Sequence, residues 1–366
     1  PGKDYAKQKK AAEILNRVLP QEPNHPGVAH YVIHSFDYPQ LAELALPAAR
    51  SYAKIAPSSP HALHMPTHIF TRLGLWQESI QSNAASAASA RALVARTHPG
   101  AASYDELHAM DYLMYAYLQG AQDKKAESIL QQLRSMSRVD DENFAAAYAF
   151  PAIPARHALE RKSWAEAASL TLHPSEFPWD RFRYAEAITH FARALGSARL
   201  GDAAAARRSV DKLASIQRAL VSAKENPVNL YWATQVEVQR QAAAAWTARA
   251  EARNEEALRL MRAAAELEAS TDKSPVTPGA VLPSRELLGD LLLELKQPAE
   301  ALKEYEASLR DAPNRFNSLY GAARAAELAG DRVKAAEYYH KLVSLCAQAE
   351  GERPELKRAK EFRAHK

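Results

Sequence analysis

From Leu287 to Pro313, and again from Leu319 to Leu342, apolar residues return every three or four positions in two blocks parted by a short polar turn. The segments LLGDLLLELKQPAEALKEYEASLRDAP and LYGAARAAELAGDRVKAAEYYHKL each predict helix, turn, helix, because that spacing gathers the apolar side chains on one helix face. Few stretches alternate apolar and polar residues as half-buried strands do. Each segment carries small residues and an aromatic at matching places: Gly289, Ala301, Tyr305 and a closing Pro313 in the first, Ala323, Ala335 and Tyr339 in the second. A small side chain where two helices cross lets their axes approach closely.

These positions resemble the tetratricopeptide repeat, which implies an all-α fold: a right-handed α-solenoid of antiparallel helix pairs with a concave groove. Carried backwards, the frame starts repeats near residues 26, 60, 107, 148, 187, 238, 282 and 316. It places Ala45, Ser79, Ala126, Ala167, Ala206, Ala257, Ala301 and Ala335 at the small position of the second helix. The spacings of 34, 47, 41, 39, 51, 44 and 34 between them imply insertions, of which LHPSEFPW (172–179) and SPVTPGAVLP (274–283) are read as inter-repeat loops. The expected organisation is the second helix of an upstream repeat at 1–25, repeats 1–3 at 26–147, repeats 4–6 at 148–281, repeats 7–8 at 282–348 and a basic tail at 349–366. Residues 1–25 read as half a hairpin, an expectation that further sequence precedes them.

Composition adds limits. Glycine is scarce at 12 residues and alanine abundant, which favours helix. A net charge of +4 is mild, and its one cluster, Arg353, Lys357, Arg358, Lys360, Arg363 and Lys366, reads as a solvated tail rather than a nucleic-acid groove. The single cysteine, Cys346, lies in an apolar helical run and reads as a buried, inert thiol. No apolar run reaches the length of a membrane span.

The chemistry lies in the histidines. Eight of the 13 fall between residues 25 and 108. His30 and His34 are four apart, as are His64 and His68, and the two pairs are one 34-residue repeat apart. His61 precedes His64 by three, and the third repeat offers His108, Asp111 and Tyr115. Residues three, four and seven apart share one helix face. The resemblance puts that face in the concave groove, so His30, His34, His61, His64, His68, His108 and Asp111 are the expected ligands of a divalent transition metal. Zinc, copper, nickel and iron all accept imidazole with carboxylate and are not distinguished by the sequence. Asp111 and Tyr115 are the candidates for proton transfer, and Asp37, Asp111 and Tyr115 for holding the far ring nitrogens. Pro66, between His64 and His68, is expected to kink its helix. Tyr31, Tyr112 and Trp76 read as packing residues. Farther along the groove stand Arg156, Glu286, Asp290, Tyr320 and Arg324, the last four read as solvated.

The stretches HPGVAHYVIHSFD (25–37), HALHMPTHIFTRLGLW (61–76) and ELHAMDYLMYAYLQ (106–119) are similar to those of a group of bacterial tetratricopeptide proteins with no established activity. That resemblance implies a longer N-terminus and makes a periplasmic location compatible with the sequence beside a cytoplasmic one. No HExxH, Walker A, GxSxG or CxxC motif is present. Two readings stand: a metal-binding groove, with or without catalysis on a small molecule, and a non-catalytic scaffold that binds a peptide or protein in the groove.

Overall fold

The computed structural model describes residues 4–223, 227–351 and 353–364. Their regular structure is helical, apart from one isolated bridge between Ala102 and Val139. A first helix, α1 (Ala6–Val18), packs on α2 and leads into tandem helix pairs. The first three pairs are α2 (Pro26–Phe36) with α3 (Ala42–Ile55), then α4 (Pro60–His64) and α5 (Pro66–Leu73) with α6 (Trp76–Thr97), then α7 (Tyr104–Gln119) with α8 (Asp123–Arg134). The middle pairs are α9 (Phe144–Glu160) with α10 (Trp164–Ser169), α11 (Arg183–Arg199) with α12 (Ala203–Ser222), and α13 (Pro227–Ala250) with α14 (Asn254–Ala269). The last are α15 (Ser284–Glu294) with α16 (Pro298–Asp311) and α17 (Phe316–Leu328) with α18 (Arg332–Leu345), followed by α19 (Pro354–Ala364). Among the described residues no helix is long and apolar enough to cross a membrane.

Close packing inside the pairs follows from residue size. Ala45, Ser79, Ala126, Ala167, Ala206, Ala257, Ala301 and Ala335 are all 0% exposed. At Gly289 an added Cβ would lie 2.8 Å from the ring of Tyr305, and at Gly321 it would overlap the same ring. One tyrosine thus wedges between α15 and α17 because both neighbours lack a side chain. Local signals set helix starts: Asn143 accepts from the amides of Ala145 and Ala146, Asp202 from Ala205 and Asp331 from Lys334. Pro66 does more than kink its helix, since it starts α5 afresh after α4 ends at His64.

The superhelix turns back on itself. The Trp76 indole donates to the Asn314 carbonyl at 2.9 Å, the Phe316 amide to Gln119 Oε1 at 2.8 Å and the Glu350 amide to the Ala121 carbonyl at 3.0 Å. Two expectations change as a result. The stretch read as a basic tail forms α19, because Leu356 and Ala359 bury one face and Arg353 reaches Asp123 while its guanidinium covers the Phe316 ring; Lys366 lies outside the described residues. Glu286, read as a solvated charge, is buried, since α17 brings Arg315 onto it. Cys346 is buried, and burial pushes its thiol up to about 12.

Candidate metal centre

Six histidines come together where the N-terminal apolar core, ending at Phe70, meets the larger core that begins at Trp76. α2 contributes His30 and His34, α4 His61 and His64, α5 His68 and α7 His108. The rings form a continuous run: His30 to His61 at 5.1 Å between centroids, His30 to His34 at 4.7 Å, His34 to His68 at 5.8 Å, His68 to His64 at 5.0 Å and His64 to His108 at 4.2 Å. His64 and His68 are buried, His30, His34 and His108 partly so, and His61 is exposed. Among the described residues, His64, His68 and His108 are the group whose ligand atoms all lie within 4.8 Å of one another.

The protons of the two buried rings can be placed. Asn83, buried on α6, donates its amide to the Ser79 carbonyl at 2.9 Å, which turns its oxygen toward His64 Nδ1 at 2.8 Å. His64 therefore carries its proton on Nδ1. The carboxylate of Asp37 accepts from His68 Nδ1 at 3.1 Å, so His68 is also the Nδ1–H tautomer. What remains is Nε2 beside Nε2 at 3.1 Å, two ring nitrogens each left without a proton. Asp37 also accepts from Arg72 Nε at 2.9 Å and from Lys273 Nζ at 2.8 Å. Burial, against the pull of Asp37, takes His68 down to about 4; burial and His34 take His30 to about 4; burial and His68 take His108 to about 3. Burial first, then His108, lowers His64 well below the usual range. All four rings are neutral at pH 7, the form that binds metals.

Asp111 is buried, but its carboxylate is taken by Arg156 Nε at 2.8 Å, and it does not belong to the converging group. Tyr115 accepts from Arg315 Nη1 at 2.8 Å, with its ring against Arg156 and Arg315. Asp290 accepts from the Tyr305 hydroxyl at 2.5 Å; Tyr320 lies under Lys162 and Arg324 pairs with Glu327 at 2.6 Å. Neither Asp111 nor Asp290 joins the converging histidine group. Arg156, fully buried, turns its two terminal nitrogens to the carbonyls of Ala280 and Gly279 at 2.8 and 2.9 Å. The loop after α14 thus runs across the concave face, held also by Lys273 on Asp37 and by the Tyr112 hydroxyl on the Val276 carbonyl at 3.3 Å. It forms one side of a half-open cavity of about 650 Å³ lined by His34, Asp37, Arg72, Tyr148, Trp232 and Lys273, among others.

Sequence reasoning passed over Asn83, Arg72, Lys273 and the hydroxyl of Tyr112, which also lies 3.3 Å from His68 Nδ1. Asn83 had a signal: it follows the small Ser79 by four, a polar residue on the apolar face of its helix. Lys273 had none, being 236 positions from its partner.

No family model and no curated protein matches the sequence. Among solved structures, the chain is similar to a tetratricopeptide repeat protein from Parabacteroides merdae, with a TM-score of 0.40 and 14% identity over 84% of this chain and 97% of that one. It is also similar to yeast Tom70, with a TM-score of 0.36 and 12% identity over 98% and 86%.

Proposed function

We propose that this chain is a helical-repeat protein that binds a divalent transition-metal ion through His64, His68 and His108. The observation that carries the reading is the pair of bare Nε2 atoms 3.1 Å apart, each fixed in that state by a partner on its Nδ1. Two unprotonated ring nitrogens this close repel unless a cation draws on both. A proton there would leave a buried imidazolium among other histidines, which surroundings of low polarity oppose. A metal ion satisfies both rings, and the Asp37–His68 contact is the carboxylate–histidine arrangement that orients metal ligands. His68 and His108 stand wider apart, at 6.3 Å between centroids, so the partly exposed His108 turns inward on binding. Three histidines on zinc leave a position for a further ligand, which suits a catalytic or a transport role equally. The alternative, a peptide-binding scaffold, is disfavoured by the chain's own loop lying across the groove on Arg156 and Asp37. The kinship suggested by the three histidine-bearing motifs belongs with this proposal, since it would make the site a property of that bacterial group.

Elemental analysis of protein purified without a metal-affinity step, then equilibrated with zinc(II) and desalted, tests the reading. Bound zinc is expected in the wild type, with at least one equivalent lost in the double variant His64→Ala/His68→Ala at unchanged helicity. A metal-free wild type, or a double variant that retains the full metal content, would refute it.

A further inference from the structure

The converging group leaves three histidines over, and the ring of His30 is in contact with both of the others. His30 lies between His34, at 4.7 Å between ring centroids, and His61, at 5.1 Å. A ring bound through nitrogen has its centroid about 3.2 Å from the ion, so two rings about 90–110° apart around one ion have centroids about 4.5–5.2 Å apart. Both separations fall in that window, as does the 5.0 Å between His64 and His68. The two sets are built alike. Each starts from a histidine pair four residues apart, His30 and His34 on one face of α2 and His64 and His68 on either side of the α4–α5 break, and adds one further ring: His108 from α7 for the inner set, His61 from α4 for the outer.

We propose that His30, His34 and His61 form a second site for a divalent transition-metal ion, next to the buried one and toward solvent, so that the loaded protein holds two ions. The inference rests on the metal-binding reading of His64, His68 and His108. The outer nitrogens do not converge as tightly as the inner ones, and the site closes by rotation of the partly exposed His30 and the exposed His61, which are free to turn on their solvent side. A single ion cannot use all six rings, because the run extends outward from His68 through His34 and His30 to His61 rather than around one point. His34 is the link, 5.8 Å from His68. The arrangement gives the outer ion moderate affinity and ready exchange, and the inner ion tighter, slower binding.

Titration of metal-free full-length protein with cobalt(II), followed by its visible absorption and by equilibrium dialysis against zinc(II), decides the matter. The wild type is expected to take up two equivalents in two steps, His30→Ala/His61→Ala one tight equivalent, and His64→Ala/His68→Ala one weaker equivalent. Saturation of the wild type at one equivalent would overturn the second site and leave the buried site standing. Uptake of two equivalents by His30→Ala/His61→Ala would also overturn it. Failure of the wild type to bind either metal would overturn both, and circular dichroism on each variant separates loss of a ligand from loss of fold.

Discussion

At the scale of single residues, Asp37 is the most heavily used group near the histidines. It ends α2 and accepts from His68, Arg72 and Lys273, so one carboxylate serves a ring nitrogen and two cations. Its charge raises the electron density of the His68 ring through the Nδ1 proton and holds the ring so that Nε2 faces His64. Asparagine at position 37 keeps the size but not the charge, and its amide presents one acceptor where two oxygens served three donors. On the proposed metal-binding reading, Asp37→Asn is therefore expected to weaken zinc(II) binding at His64, His68 and His108 by about 10–100-fold, measured by competition with a chromophoric chelator, with the fold preserved. Affinity within about twofold of the wild type would mean that the carboxylate orients cations rather than the ring. Asn83 performs the matching task on His64 without a charge, which is why it left so little trace in the sequence while the histidines themselves stood out.

At the scale of elements, much was legible because it is local. The small residue of each second helix recurs beside a turn, and all eight are fully buried. The four-residue histidine spacing on α2 needs only helix geometry to be read. What escaped depends on pairs far apart in sequence, which no periodicity encodes: Lys273 on Asp37, Arg156 on Gly279 and Ala280, Arg353 on Asp123. The loop between α14 and α15 is the clearest case, since a proline-rich stretch reads as a spacer and instead forms a wall of the cavity. Its base is tied by Glu268 near the end of α14, whose carboxylate accepts from the Ser284 amide at 2.7 Å. Burial raises this carboxyl to about 7, against the lowering effect of the Ser284 bonds. A carboxyl whose pKa is higher folded than unfolded binds its proton more tightly in the native state, so stability is greatest below the unfolded value and falls as pH rises toward the folded one. Between about pH 4.5 and 7 the ionisation of Glu268 should cost about 1–3 kcal/mol. Glu268→Gln should remove that decline, seen as a flatter dependence of chemical-denaturation stability on pH over this window; an unchanged slope would assign the decline to other groups.

At the scale of the whole molecule, the return of the superhelix changes how stability should be distributed. An open repeat array is held by contacts between neighbours, so its ends can unfold while the middle stays folded. In this chain α17 carries Arg315 into the first half of the array, and the guanidinium, 0% exposed, donates to Glu160 on α9 at 2.7 Å, to Glu286 on α15 and to the Tyr115 hydroxyl on α7. Asn317 donates to Glu160 as well, and Gly74 has no room for a side chain where the Pro313 carbonyl meets it. Elements from the two halves of the sequence thus share one buried ion cluster, which should tie the last two hairpins to α7 and α9 in one cooperative unit. Removing the arginine leaves two carboxylates uncompensated in the interior, an effect of about 3–5 kcal/mol. Arg315→Met should therefore lower stability by that order and split a single calorimetric transition into two, with α15–α19 melting first. Adding Glu160→Gln and Glu286→Gln to the same chain should restore much of the stability by removing the stranded charges, yet leave the two transitions apart, because the link between the halves is still missing. A single transition in Arg315→Met, merely shifted to lower temperature, would show that the halves are coupled through neighbour contacts around the array and that the closure contributes stability without cooperativity.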